Sequence, residues 1–314
     1  MTLALVTMSH TPLLEHGDPG PEVKAEVDGA FQIVRDFVTD FDPEVIVSFG
    51  PDHYNGFFYE LMPPFCIGYD AISIGDYGSQ AGPLNVPTAF AKDLAESVLA
   101  NDIDMAVSLR MEIDHGAVQP MEVIFGDITA KPVVPIFINS VAPPFTTLRR
   151  VRLMGQAIGN YLKTRDERIL LIGSGGLSHD PPVPRIATAT PAQREALLGG
   201  GRHLTPEARE ERESRVIVAA KAFTEGTSDI QELAPEWDTN LMSLLADGRI
   251  SDVDEWSPDE MTRVAGNSSH EVRTWIAGYA AMQAAGDYVV DFSYYRPIKE
   301  YIAGFGVTTV RAAR

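Results

Sequence analysis

The stretch LLIGSGGLSHDPP, residues 170–182, joins an apolar run to a glycine-rich turn, one histidine and two prolines. The apolar run begins at Ile169 and has no polar alternation, which is typical of a strand buried on both faces of a parallel sheet. Glycines permit a sharp turn after the strand, and the prolines stiffen its exit. Because ligand sites of open α/β sheets lie beyond the carboxyl ends of strands, the stretch predicts that His179 stands at such a site.

The rest of the chain alternates similar apolar runs with helical patterns. We predict strands at Leu3–Thr7, Val45–Phe49, Ala106–Leu109, Val133–Ile138 and Ile169–Ile172, and helices at Pro21–Thr39, Pro87–Leu99, Pro120–Phe125 and Thr146–Leu162. This alternation indicates an α/β fold with a mostly parallel central sheet and helices on both of its faces.

After His179 the pattern changes to a polar segment followed by helices. We predict helices from near Thr205, at Thr239–Ala246, at Pro258–Val264 and at Ser269–Ala284, and then a partly extended tail over the body. Nothing marks a firm domain boundary, so residues 1–314 are expected to form a single domain with a helical C-terminal part.

The composition excludes several classes of function. The formal net charge is −19, which disfavours a nucleic-acid partner because phosphates would be repelled. No apolar run is long enough to span a bilayer and no signal peptide is evident, so we expect a cytoplasmic protein without a membrane partner. The single cysteine, Cys66, excludes an internal disulfide and a cysteine-based metal cluster.

Four of the seven histidines follow predicted strands. They are His10 in VTMSHTPLL, His53 in VSFGPDHYNGFF, His115 in MEIDHGAVQP, and His179. In a parallel sheet these strand ends share one edge, so the four imidazoles are expected to converge there. Imidazoles without thiolates are typical of zinc or non-haem iron sites, and two histidines with one carboxylate suit a ferrous oxygenase. The order of the residues alone does not separate metal ligands from proton-transfer groups.

The motifs SHTPLL, FGPDHYNGFFYELMPPFCIG, MEIDHGAVQP, GSGGLSHDPPVP, SSHEVRTWIAG and YYRPI resemble those of the class III extradiol catechol dioxygenases, in the same order and along nearly the whole chain. The resemblance implies that His10, His53 and Glu271 bind Fe(II), and that His115 and His179 form an acid–base pair around the substrate. In this pair His179 would be the base and His115 the proton donor.

The same resemblance implies dioxygen-dependent ring cleavage beside the two hydroxyl groups of a catechol. The expected substrates are 2,3-dihydroxyphenylpropionate and its cinnamate analogue, and the expected product is of the 2-hydroxy-6-oxonona-2,4-dienedioate type. A homo-oligomer is also implied. Arg296 and Lys299 are candidates for binding the substrate carboxylate, and Phe57, Phe58 and Phe65 for enclosing the ring.

Several alternatives compete with these assignments. Ser268 and Glu271 fit an S-x-x-E capping box, which would use the Glu271 carboxylate to begin a helix. Asp52 and Asp114 each neighbour a candidate histidine, either as the metal carboxylate or as a group that orients an imidazole. The same cluster also suits a zinc hydrolase, or a non-catalytic binding protein built on the same fold.

Overall fold

The computed structural model describes residues 3–313, which form two sheets and nine α-helices. The strands are β1 (Leu3–Met8), β2 (Val45–Gly50), β3 (Phe65–Gly68), β4 (Ala71–Ile74), β5 (Ala81–Pro83), β6 (Ala106–Ser108), β7 (Met111–Ile113), β8 (Val133–Ile138), β9 (Ile169–Ser174), β10 (Tyr288–Ile298) and β11 (Ala303–Ala312). The helices are α1 (Pro21–Phe41), α2 (Thr88–Leu99), α3 (His115–Phe125), α4 (Leu148–Leu162), α5 (Pro191–Glu195), α6 (Pro206–Thr224), α7 (Pro235–Ala246), α8 (Pro258–Ala265) and α9 (Val272–Ala285).

The larger sheet has eight strands in the order β10-β11-β1-β9-β2-β8-β3-β6. Its centre, β1-β9-β2-β8, is parallel, whereas β11 and β3 join this centre in antiparallel fashion. The smaller sheet has the order β5-β4-β7. The predicted α/β fold with a mostly parallel central sheet is therefore confirmed, and the complete sheet is mixed.

Helices cover both faces of the larger sheet. Alternate residues of a strand point to opposite faces, so Leu5 of β1 packs in one core with α2, α4 and α9, whereas Val6 packs with α1 and α3 in the other. Helices α4 and α9 pack closely at Gly159, which has no side chain. A Cβ at this position would lie only 2.1 Å from the Ala281 carbonyl oxygen. Between residues 3 and 313, no helix combines the length and apolarity needed to cross a membrane.

Three local predictions were wrong. The predicted buried strand Ala106–Leu109 is the edge strand β6, where Val107 is 43% exposed. The helix predicted from Pro120 begins at His115, because Asp114 caps it by accepting a hydrogen bond from the Gly116 amide. The predicted tail is the hairpin β10–β11, whose second strand pairs with β1 inside the sheet.

Candidate active site

The structure brings the four predicted histidines together at one end of the sheet. His10, His53 and His179 follow β1, β2 and β9, as predicted. The ring centroid of His53 lies 5.4 Å from that of His10 and 4.7 Å from that of His115. The prediction that His115 follows the strand at Ala106–Leu109 was wrong, because His115 follows β7 of the smaller sheet and begins α3.

Glu271 lies at the centre of this cluster and is fully buried. Its Oε2 is 3.4 Å from Nε2 of His10, and its Oε1 is 3.1 Å from Nε2 of His53 and 3.2 Å from Nε2 of His179. The carboxylate also accepts a hydrogen bond from the Gly176 amide at 2.9 Å. Ser268 makes no capping bond through its side chain, so the capping-box alternative for Glu271 is wrong.

The start of α9 reaches the histidines because it packs directly on the end of β9. A Cβ on Gly175 would lie 2.6 Å from the Glu271 carbonyl oxygen, so only glycine allows this approach. The Trp275 indole donates to the Gly175 carbonyl at 2.9 Å, and the Thr274 hydroxyl donates to that of Ser174 at 2.8 Å. The glycine turn that follows β9 therefore positions Glu271, by allowing the start of α9 to approach, as well as His179.

Two of the imidazoles have their tautomers set by neighbouring acceptors. The Ser174 hydroxyl donates to the Gly116 carbonyl at 2.5 Å, which leaves its oxygen to accept from Nδ1–H of His10 at 3.0 Å. Nδ1–H of His53 donates to Asp114 Oδ2 at 3.1 Å, because an ionised carboxylate only accepts. Both rings therefore turn Nε2 toward Glu271, and in the neutral form with Nδ1 protonated each would offer its Nε2 lone pair to a metal, as metal-binding histidines do.

The other two imidazoles are anchored in the same manner. Nδ1–H of His115 donates to Asp76 Oδ2 at 2.6 Å, while the His115 amide donates to Asp76 Oδ1 at 2.8 Å. Nδ1–H of His179 donates to the Leu177 carbonyl at 2.9 Å. Sequence reasoning missed Asp76, which precedes a Tyr-Gly pair in a glycine-flanked turn; that turn was the available signal.

The two alternative carboxylates, Asp52 and Asp114, hold the His53 loop in place. Asp114 accepts from the His53 amide at 2.8 Å and from the Asn55 side chain at 2.9 Å. Asp52 accepts from three backbone amides, at residues 55 to 57. Burial opposes ionisation of Asp114, but the adjacent His53 lowers its pKa below the usual value. Burial and the neighbouring Asp114 raise the pKa of Asp52 to about 7.

His179 is positioned by the C-terminal part of the chain. The preceding Ser178 donates through its amide and its hydroxyl to Asp238 of α7, at 2.7 and 2.6 Å. The Gly304 amide of β11 donates to the Ser178 carbonyl at 2.8 Å, and the His179 amide donates to the Ala265 carbonyl at 2.9 Å. These contacts join segments far apart in sequence and fix the direction of the imidazole.

The four histidines and Glu271 face a cavity of about 320 Å³. Its walls beyond the histidines include Pro181, Pro182, Val183, Leu197, Leu204 and the inner face of α6. The candidates proposed for the substrate ring do not line it: Phe57 stacks on Phe137, and Phe58 and Phe65 are core residues. The carboxylate-binding candidates were also wrong, because Arg296 pairs with Glu26 and Lys299 with Glu232 outside the cavity.

The electrostatics of the cluster favour a cation. Burial lowers the pKa of His10 to about 3, so this imidazole is neutral at pH 7. Burial acts in the same direction on His53, but Asp114 and Glu271 raise its pKa well above the usual value. Burial would raise the pKa of Glu271, but His179 and His10 lower it. The ionised Glu271 carboxylate and Asp114 therefore favour a positive charge beside them, either a proton on His53 or a metal ion.

The donor set fits a divalent transition metal. Nitrogens of His10, His53 and His115 lie within 4.8 Å of one another. Glu271 adds an anionic oxygen in contact with His10 and His53, and imidazole with carboxylate suits first-row metals. An imidazole–carboxylate cluster at the strand ends of an α/β sheet, open to one cavity, is typical of catalytic sites and is able to bind a metal ion.

Comparison with known proteins agrees with this class. Residues 4–306 match the family described as the catalytic LigB subunit of aromatic ring-opening dioxygenase. The chain belongs to this family of ring-opening dioxygenases.

Curated relatives match over nearly their full lengths. Three are named 2,3-dihydroxyphenylpropionate/2,3-dihydroxicinnamic acid 1,2-dioxygenase. The protein of Rhodococcus globerulus is 58% identical, covering 98% of each chain, and that of Rhodococcus rhodochrous is 55% identical, covering 100% of this chain and 99% of the relative. The protein of Mycobacterium sp. (strain MCS) is 51% identical over 98% of each chain.

Proposed function

We propose that this protein uses ferrous iron to cleave 2,3-dihydroxyphenylpropionate and its cinnamate analogue with dioxygen, beside the two hydroxyl groups. The observation that carries the proposal is the cluster of four imidazoles and Glu271, which all line one cavity, each imidazole having its Nδ1 anchored. The names of the relatives support the substrate.

The residues that would hold the iron are His10, His53 and Glu271. The Glu271 carboxylate contacts Nε2 of His10 through one oxygen and Nε2 of His53 through the other, so the three donors can face one ion. Such a set leaves coordination positions free, as in other ferrous oxygenases. Bound iron would lower the pKa of the catechol hydroxyls and bring dioxygen next to the ring.

The remaining two imidazoles would move protons. His179 would accept a proton from a substrate hydroxyl at Nε2, while the Leu177 carbonyl holds its Nδ1–H. His115 would donate a proton from Nε2 during ring opening, while Asp76 holds its Nδ1–H and prevents the ring from turning. Both side chains line the cavity beside the proposed iron ligands, so both can reach one bound catechol.

Oxygen uptake by anaerobically iron-loaded protein tests this function. With 2,3-dihydroxyphenylpropionate we expect one dioxygen consumed per catechol and a yellow ring-opened product. Zinc-loaded protein is the control and should consume no oxygen. Turnover without oxygen, or with zinc alone, would establish a hydrolase instead. No uptake with any catechol, from protein shown to contain iron, would refute the enzymatic proposal.

We expect Asp76→Asn to lower kcat by about 10- to 100-fold. The asparagine side chain would place its N–H₂ group against either the backbone N–H or the Nδ1–H of His115, and two donors repel each other. The two Asp76 oxygens accept from the backbone amide and from Nδ1–H of His115, and asparagine can satisfy only one of them. Steady-state kinetics and the pH profile of kcat measure the effect. Asp70→Asn is the matched control, since Asp70 is exposed. A wild-type pH profile and kcat in Asp76→Asn would contradict the role of Asp76.

A further inference from the structure

A carboxylate-bearing substrate needs local positive charge in a protein whose net charge is −19. Among the described residues that line the cavity, the lysine and arginine side chains are Arg209, Arg212 and Arg215, all on α6. Their spacing of three residues makes Arg212 a neighbour of both Arg209 and Arg215 on the helix surface. The positive charge at the cavity therefore comes from one helix.

Two of these arginines have other partners. Arg212 donates to the carbonyl oxygen of His53, to that of Tyr54 at 3.4 Å and to Asn55 Oδ1 at 3.3 Å. It holds α6 against the loop that carries His53. Arg215 is exposed, and its Nε donates to the Glu211 carbonyl at 3.3 Å.

Arg209 differs from both. Its side chain is half-buried, and within residues 3–313 its guanidinium makes no hydrogen bond or ion pair. Of the two α6 carboxylates at the cavity, Glu213 accepts from the Tyr77 amide at 2.9 Å and Glu211 is exposed. A half-buried guanidinium without an anion is suited to bind a carboxylate, since its planar N–H groups match two carboxylate oxygens.

We propose that Arg209 binds the carboxylate of the substrate side chain and so selects acidic catechols. This inference rests on the proposed function, which places the catechol hydroxyls at the histidines. Arg209 lies about one helical turn before Arg212, which contacts the His53 loop directly, and both arginines line the cavity that the four histidines also line. Apolar side chains of Pro181, Val183 and Leu197 line the same cavity and suit the two carbons between ring and carboxylate.

The test compares 2,3-dihydroxyphenylpropionate with 3-propylcatechol, which has a similar side chain without the charge. For Arg209→Met we expect kcat/KM for 2,3-dihydroxyphenylpropionate to fall by roughly 30-fold, mainly because KM rises. This is the size of effect expected when a charge-assisted hydrogen bond to the substrate is lost. Its kcat/KM for 3-propylcatechol should stay within about twofold, which excludes misfolding. Arg209→Lys should recover part of the loss. Lys221→Met, which removes an exposed charge from the same helix, is the control.

The outcomes separate this inference from the proposed function. If wild-type protein cleaves neither catechol, the proposed function fails. If wild-type protein prefers the acid and Arg209→Met keeps that preference, the function stands and the role of Arg209 is refuted. An equal loss for both substrates, or a selective loss in Arg215→Met instead, would also refute it.

Discussion

Replacing Glu271 by glutamine is expected to abolish iron binding and to lower turnover by roughly 1000-fold, since a metal contributes several kcal/mol to catalysis. Glutamine has nearly the same volume and keeps an oxygen to accept from the Gly176 amide. It removes the negative charge and, with that oxygen kept at Gly176 and His10, turns an N–H₂ donor toward the Nε2 atoms of His53 and His179. Iron content after desalting, and oxygen uptake, measure the two effects.

Glu225→Gln is the control for Glu271→Gln, because Glu225 is exposed at the end of α6 and away from the cavity. Thermal unfolding of metal-free protein should show that both variants fold. A Glu271→Gln variant that retained stoichiometric iron and wild-type turnover would exclude Glu271 as a ligand.

Replacing Gly116 by alanine is expected to lower turnover by about 100-fold, the loss that a misplacement of about 1 Å can cause. A Cβ at this position would lie 2.9 Å from Cε1 of His53 and 3.2 Å from Nε2 of His10, so both imidazoles must shift. Gly116 is in the first turn of α3, where alanine is the better helix former by about 1 kcal/mol. The substitution should therefore damage the site without weakening the helix.

Gly29→Ala is the matched control for Gly116→Ala. Gly29 lies within α1, and an added Cβ there meets no atom within 4 Å, so this variant should keep wild-type activity. The iron affinity and the kcat of both variants are measured and compared with those of the wild-type protein. Full activity in Gly116→Ala would show that the two histidines tolerate displacement, and would contradict the proposed ligand geometry.

The sequence predicts the part of the site that depends on local patterns. Apolar runs without polar alternation identify β1, β2 and β9, and parallel strands end at one edge, so the approach of His10, His53 and His179 follows. The Glu271 assignment came from the resemblance, since the local Ser-x-x-Glu pattern by itself favours a helix cap. The packing of α9 on the end of β9 turns that carboxylate inward.

The missed features depend on long-range contacts. Asp76 is 39 residues from the histidine it orients, and β11 pairs with β1 from the other end of the chain. Arg209 lies in the charged run AREERESR, whose pattern is that of a solvated helix, and only the position of α6 over the cavity distinguishes it. Arg296 and Lys299 looked equally available in sequence, but tertiary ion pairs engage both.

The central claim is that the cluster divides into iron ligands and proton-transfer groups. Anaerobic iron titration of His53→Ala and His179→Ala, followed by measurement of bound iron and oxygen uptake, tests it most directly. We expect His53→Ala to lose both iron and turnover, and His179→Ala to keep stoichiometric iron while turnover falls by at least about 100-fold. Iron retained in His53→Ala, or lost in His179→Ala, would contradict this division.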